Sequence, residues 1–170
     1  MELLIINATA ENDATTKFAI ESLTKNAAKH KVINASDLTI SHCIGCCTCM
    51  LETPGTCCLK DDYTDIFQSL FAFDTVIFIS DTALDFIHHK TINILQRMFP
   101  LVTVFSCLQN RKILHTPRYD KSFRLGLLYK GNVNQQLLNN WFTQYAEHFS
   151  SSVLGIYPIE QAEEVFTCIS

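Results

Sequence analysis

The sequence predicts an α/β protein, a parallel sheet of five strands with helices on both faces. Three observations predict it. Short continuous apolar runs, such as ELLII at residues 2–6 and TVIFIS at 75–80, suit strands buried on both faces. Between such runs lie longer segments whose apolar residues recur at helical spacing. Runs and segments alternate along the chain, the order that right-handed crossovers turn into a parallel sheet. At 170 residues and 48% hydrophobic content, one domain spanning 1–170 is expected, because that length buries a full core.

The first strand, ELLII, ends at Asn7. After a polar loop, residues 14–29 carry Ile20, Leu23 and Ala27 on one helical face, with Asn12 or Asp13 as N-cap. KVINA, 31–35, is the second strand. Tyr63, Ile66, Phe67, Leu70 and Phe71 then mark a helix behind Asp61 and Asp62, acids that suit a helix start. TVIFIS is the third strand. Ile87, Thr91, Ile94, Leu95 and Met98 follow as an amphipathic helix stopped near Pro100, with Asp85 as a candidate cap. Residues 101–122 are ambiguous, with strand-like LVTVF leading into a basic segment. FRLGLLY, 123–129, is the fourth strand. Leu137, Leu138, Trp141, Phe142, Tyr145 and Phe149 form a long helix capped near Asn132, and SVLGIY, 152–157, is the fifth strand.

A net charge of −4 gives no reason to expect nucleic acid or a membrane surface as partner. The opening MELLIINATAENDATT lacks the basic and apolar segments of a signal peptide, and the apolar runs are too short to span a bilayer. A cytoplasmic protein is expected. In a reducing compartment, clustered cysteines favour metal binding, redox work or inert thiols over a disulfide framework. Cys107 and Cys168 stand alone and read as buried small residues.

Sheets of this kind bind ligands beyond the carboxyl ends of their strands, at the topological switch point. The loops concerned are 7–16, 36–60, 80–88 and 130–132. The second contains CIGCCTCMLETPGTCC, residues 43–58, which holds six of the eight cysteines. Cys43, Cys46, Cys49 and Cys57 have the compact spacing that a cubane iron–sulfur cluster uses, one thiolate to each iron. Structural zinc more often takes two well-separated pairs. Cys47 and Cys58 are additional thiols, so the set of four is not unique, and unligated thiols are the third alternative.

CIGCCTCMLETPGTCCLKDD, following a strand, a helix and a strand, resembles the NADPH-dependent FMN reductase family of flavodoxin-like proteins, most nearly its iron–sulfur flavoprotein branch. Members typically show a CIGC-x-x-C stretch, a further cysteine, and a Lys-Asp-Asp that opens the next helix, here Lys60, Asp61 and Asp62. The similarity covers residues 1 to about 100, and 123 to about 157 in outline. It implies a flavodoxin-like three-layer sandwich with the cysteine-rich loop inserted after the second strand. It further implies FMN at the strand ends, NAD(P)H as the small-molecule electron donor, and a homo-oligomer, dimer or larger. By the same resemblance, Cys43, Cys46, Cys49 and Cys57 would hold a 4Fe-4S cluster. FMN would sit on Thr9, Thr15 and Thr16 of the first loop and on Ser80, Asp81, Thr82, Ala83, Leu84 and Asp85 of the second.

Both flavin loops depart from the family pattern. Where the family reads like NGSPRKNGNT, with hydroxyls and an Arg for the phosphate, this chain has NATAENDATT. The three threonines keep hydroxyls, but Glu11 replaces the Arg and Asp13 adds a second acid. At ~4 Å and an effective dielectric of about 20, each like-charge pair opposes phosphate by ~4 kcal/mol before screening. In place of SPVYFGGMS stands SDTALDFIHH, with Asp85 where glycine would admit the ring. His88 and His89 are new there, as proton donors, ligands or surface polarity. Arg111, Lys112, Arg118, Lys121, Arg124 and Lys130 either reach an anion such as the NADPH ribose phosphate or form a solvated, paired basic surface. Phe86 and Phe99 are candidate dimer contacts. The functional alternatives are a flavin-dependent reductase, a divergent non-flavin member acting through its cysteines as a redox-sensing or metal-binding module, and an interaction domain with unligated thiols.

Overall fold

The structure, a computed structural model, describes residues 1–10, 13–25, 27–109 and 111–169, without the side chains of 167–169. Strand β1 (Glu2–Asn7) leads into α1 (Ala14–Thr24) and then β2 (Lys29–Asn34). The long connection that follows holds a 3-10 turn and the single-turn helix α2 (Thr48–Leu51) before α3 (Tyr63–Ala72). β3 (Thr75–Ala83) folds back as the short β4 (Phe86–Ile87), and α4 (His89–Gln96) follows. β5 (Val102–Gln109) and β6 (Lys112–Pro117) form a separate antiparallel ribbon. β7 (Arg124–Lys130), α5 (Gln135–His148), β8 (Ser152–Pro158) and a 3-10 segment over Ile159–Ile169 complete the chain.

The main sheet runs β2-β1-β3-β7-β8 with all these neighbours parallel, and β4 pairs antiparallel with β3. The five predicted parallel strands are therefore all present. Pleating sends alternate side chains to opposite faces. Leu4, Ile6, Val76, Phe78, Leu125 and Leu127 join the core under α3, α4 and α5. Leu3, Ile5, Ile77, Ile79 and Leu128 join a second core with Ala19 and Leu23 of α1 and Val165 of the last segment. The fully buried Leu, Ile, Val and Phe side chains among these each contribute about 1.5–3 kcal/mol, which fixes the sheet as the rigid base of its loops.

Four expectations are corrected. The third strand does not end at Ser80 but continues through Ala83, where Leu84 and Asp85, with φ of 53° and 59°, make a two-residue hairpin into β4. Asp85 therefore caps no helix; His88 does, its ring nitrogen accepting from the Lys90 amide at 3.4 Å. Asn134, not Asn132, caps α5, accepting from Leu137 N at 3.0 Å. Cys107 is exposed, because the β5–β6 ribbon lies outside the sheet and presents Phe105, Leu108 and Ile113 outward with it. Phe86 and Phe99 are half-buried against the chain's own core, Phe86 edge-on to Trp141. Asp13 caps α1. Glu11, Asn12 and the Cys168 side chain lie outside the described residues.

Candidate functional site

Strand order reverses between β1 and β3, so the switch point is flanked by the loop after Asn7 and by the carboxyl end of β3. The residues expected to hold FMN do meet there, but mostly with one another. Thr9 is buried, and its amide and hydroxyl both donate to Asn7 Oδ1, at 3.2 and 2.7 Å. The Ala10 amide donates to Asp81 Oδ2 at 2.6 Å. The Thr16 amide donates to Asp13 Oδ1 at 2.9 Å, and Lys130 Nζ donates to the other oxygen of Asp13. These contacts, the lysine's hydrogen bond first, hold the Asp13 carboxyl down at about 2. Thr15 is exposed, while the Thr16 hydroxyl is buried without a hydrogen-bond partner.

The second flavin loop is equally committed. Ser80 is buried, accepting from the Thr91 hydroxyl at 2.6 Å and donating to the Asp81 carbonyl at 2.7 Å. The Thr82 hydroxyl donates to the Lys130 carbonyl at 3.2 Å. Ala83 pairs with Phe86, Leu84 is fully exposed, and the Asp85 carbonyl accepts from Asn134 N at 2.8 Å. FMN's phosphate needs outward amides and cations. Here two amides and a lysine hold carboxylates, and a hairpin stands where the ring turn would be. Among the described residues of these loops, the groups present do not fit FMN, apart from the orphaned Thr16 hydroxyl.

The basic residues expected to reach NADPH are largely engaged inside the chain. Lys112 pairs with Glu147 at 2.7 Å and Lys121 with Asp74 at 2.6 Å. Arg118 donates to the carbonyls of Pro100 and Val102, both at 3.2 Å. The His88 and His89 rings lie side by side, centroids 4.0 Å apart and planes tilted by 45°.

The cysteine loop is built on a buried arginine that sequence reasoning missed. Arg97, at the end of α4, is 1% exposed and pairs with Asp61, itself 8% exposed. The same guanidinium donates to the carbonyls of Ser41 and Leu59 at 3.1 and 3.5 Å and approaches Cys57 Sγ at 3.5 Å. It also lies 4.5 Å over the Tyr63 ring. Asp61 and Asp62 accept from the Ser41 and Thr39 amides at 2.9 and 2.7 Å. The Lys-Asp-Asp stretch thus ties both ends of the loop to α3 and α4. The only available signal was a cation beside the apolar Ile94, Leu95 and Met98.

Within the loop, Gly45 and Cys47 both have positive φ, 67° and 56°, bending the chain around Cys46. A turn at Gly55 (φ 83°), closed by its amide on the Cys49 carbonyl at 2.9 Å, brings Cys57 and Cys58 back toward it. Cys46 and Cys58 are exposed, with sulfurs 3.5 Å apart. The Thr48 hydroxyl and amide draw Cys46 toward thiolate, while the hydrogen bond to Cys46 keeps Cys58 protonated. Cys49 is pushed up to about 11 by burial and then by the nearby Cys57, Cys43 and Cys46. The expected quartet shares one neighbourhood, yet among the described residues no three His, Cys, Asp or Glu side chains converge as a metal site. A broad surface cavity of about 950 Å³ lies elsewhere, along α5 and β8.

No protein-family model matches the sequence, and no curated protein matches it. Solved structures do match in fold. RosB, solved with a bound intermediate, 8-demethyl-8-formylriboflavin-5'-phosphate, superposes with a TM-score of 0.62 at 14% identity, over 92% of this chain and 64% of that one. A flavone reductase gives 0.62 at 14% identity, over 97% and 60%. An FMN-dependent NADH-azoreductase from Bacillus anthracis str. Ames Ancestor, in complex with FMN, gives 0.58 at 13% identity, over 98% and 92%. The chain thus spans less than two thirds of the first two proteins but nearly all of the third. At these identities the likeness establishes the architecture: a flavodoxin-like α/β fold with a mainly parallel central sheet.

Proposed function

We propose that this chain is an oxidoreductase of flavodoxin-like fold whose electron-carrying group is the dithiol Cys46–Cys58. The observation that carries the reading is the 3.5 Å separation of two exposed sulfurs on a loop pinned by buried Arg97. Cys46, favoured as thiolate, is the attacking sulfur, since the thiolate is the reactive form. It displaces one thiolate from a substrate disulfide, giving a mixed disulfide, and the released sulfur takes a proton from water. Cys58 then loses its proton to solvent and attacks Cys46, closing the internal disulfide and releasing the second thiolate, which is protonated in turn. Two electrons pass from the protein to the substrate, whose two thiolates take their protons from water, and two equivalents of an external thiol restore the pair, leaving as their own disulfide.

A second reading, an NAD(P)H-dependent flavin reductase, is supported by the fold neighbours, among them an FMN-dependent NADH-azoreductase in complex with FMN, and by the buried Thr16 hydroxyl that a phosphate oxygen would satisfy. It requires Asp13 and Asp81 to leave the loop. It brings with it the FMN contacts at Thr9 through Asp85, a 4Fe-4S cluster at Cys43, Cys46, Cys49 and Cys57, a homo-oligomer and a cytoplasmic setting. No described helix is long and apolar enough to cross a membrane.

The test is the reaction of the reduced protein with a small aromatic disulfide under anaerobic conditions. The wild type should release two thiols per chain and end with Cys46 joined to Cys58. Cys58→Ser should stop at one, with the mixed disulfide on Cys46, and Cys46→Ser should react slowly. Equal reactivity at Cys43, Cys46 and Cys47, with no internal bridge, would sink the proposal.

A further inference from the structure

The three loops that would splay around a flavin are tied together by their own polar groups. Ala10 is joined to Asp81, Asp13 to Lys130, Thr82 to Lys130 and Asp85 to Asn134, which links β1, β3 and β7 at their carboxyl ends. In phosphate-binding loops, free amides at a helix start and a nearby cation face outward to an anion. Here the corresponding groups, the Ala10 amide, the Thr16 amide and Lys130, already hold carboxylate oxygens.

We infer that Asp13, at the end of the β1–α1 loop, and Asp81, reaching that loop from β3, are built-in anions standing where a phosphate monoester would bind and holding the cleft shut against FMN. Two further features agree. The Asp13 carboxyl, held at about 2 first by Lys130 and then by the Thr16 amide, keeps its charge throughout the working pH range. The loop after β7 also leaves no gap against β3, because a Cβ on Gly131, whose φ is 118°, would come within 2.2 Å of the Thr82 hydroxyl. An incoming phosphate would have to displace two carboxylates and then face their charge.

The experiment is a titration of FMN, riboflavin and inorganic phosphate into the full chain and into Asp81→Ala, Asp13→Asn and the double variant. FMN fluorescence reports binding and circular dichroism reports folding. Asn at position 13 keeps the helix cap while removing its charge. The wild type should fail to bind FMN at micromolar concentration. The double variant should bind it tighter by roughly tenfold or more, equivalent to ~1.4 kcal/mol. Phosphate should compete with that gain, and riboflavin, which lacks the phosphate, should show none. If Asp81→Ala unfolds, Asp81→Ser removes the charge while keeping an acceptor for Ala10, and the same gain is expected. Micromolar, phosphate-competed binding to the wild type would overturn the inference, as would folded variants that bind no better. Cys46–Cys58 reactivity should be unchanged in every variant, so the outcome is independent of the dithiol reading.

Discussion

Replacing Arg97 with Met removes the charge that organises the cysteine loop while nearly preserving side-chain volume. Arg97 and Asp61 are 1% and 8% exposed, and deleting one member of so buried a pair leaves the other charge uncompensated, which typically costs about 3–5 kcal/mol. The carbonyls of Ser41 and Leu59 also lose a donor, while the amides of Ser41 and Tyr63 stay on Asp61 and limit the loss. With a urea slope of ~2 kcal/mol/M for a domain of this size, the unfolding midpoint should fall by roughly 1.5–2.5 M. Adding Asp61→Asn removes the stranded charge and should restore part of the loss, a non-additivity expected of partners in direct contact. Urea unfolding followed by circular dichroism reads all three variants. A shift below ~0.5 M for Arg97→Met, or a double variant losing the sum of both singles, would refute the claim that this pair anchors the loop.

Three further outcomes follow from the same geometry. Asp13 is held at about 2 against an ordinary 3.8, so between those values the unfolded chain binds the proton first. Stability from this carboxylate is thus present above about pH 4 and lost as pH falls toward 2; urea midpoints should drop over that window, and less so in Lys130→Met. Gly55→Ala would force a side chain onto φ 83° with its Cβ 2.4 Å from the Tyr119 hydroxyl. It should destabilise by more than ~1 kcal/mol and slow Cys46–Cys58 bridging, measured by unfolding and by thiol mapping. Leu84→Gly relieves a left-handed, fully exposed leucine and should raise stability by about 1 kcal/mol; a lower melting temperature would contradict the strain assigned to this turn.

The frame was legible because burial writes directly into sequence. ELLII and TVIFIS read as strands covered on both faces, and Leu3 to Ile6 and Val76 to Ile79 are indeed wholly buried. The β3–β4 hairpin was not legible, because Leu-Asp carries none of the glycine or asparagine that marks a left-handed turn. The ribbon of residues 102–117 was ambiguous in sequence because its Phe105, Leu108 and Ile113 are apolar without being covered. At the site, motif spacing found the cysteine loop and the acids of the first flavin loop. It did not find that Asp81 reaches Ala10 across 71 residues, or that Arg97 reaches Asp61 across 36, since contacts between distant loops leave no local pattern.

The most direct test of the dithiol account is anaerobic purification followed by an absorption spectrum and a glutathione redox titration with disulfide mapping on the same sample. The account predicts no flavin doublet and a single two-electron couple that maps to Cys46–Cys58. A flavin doublet, or a brown absorbance with iron and sulfide bound to the cysteine loop, would contradict it.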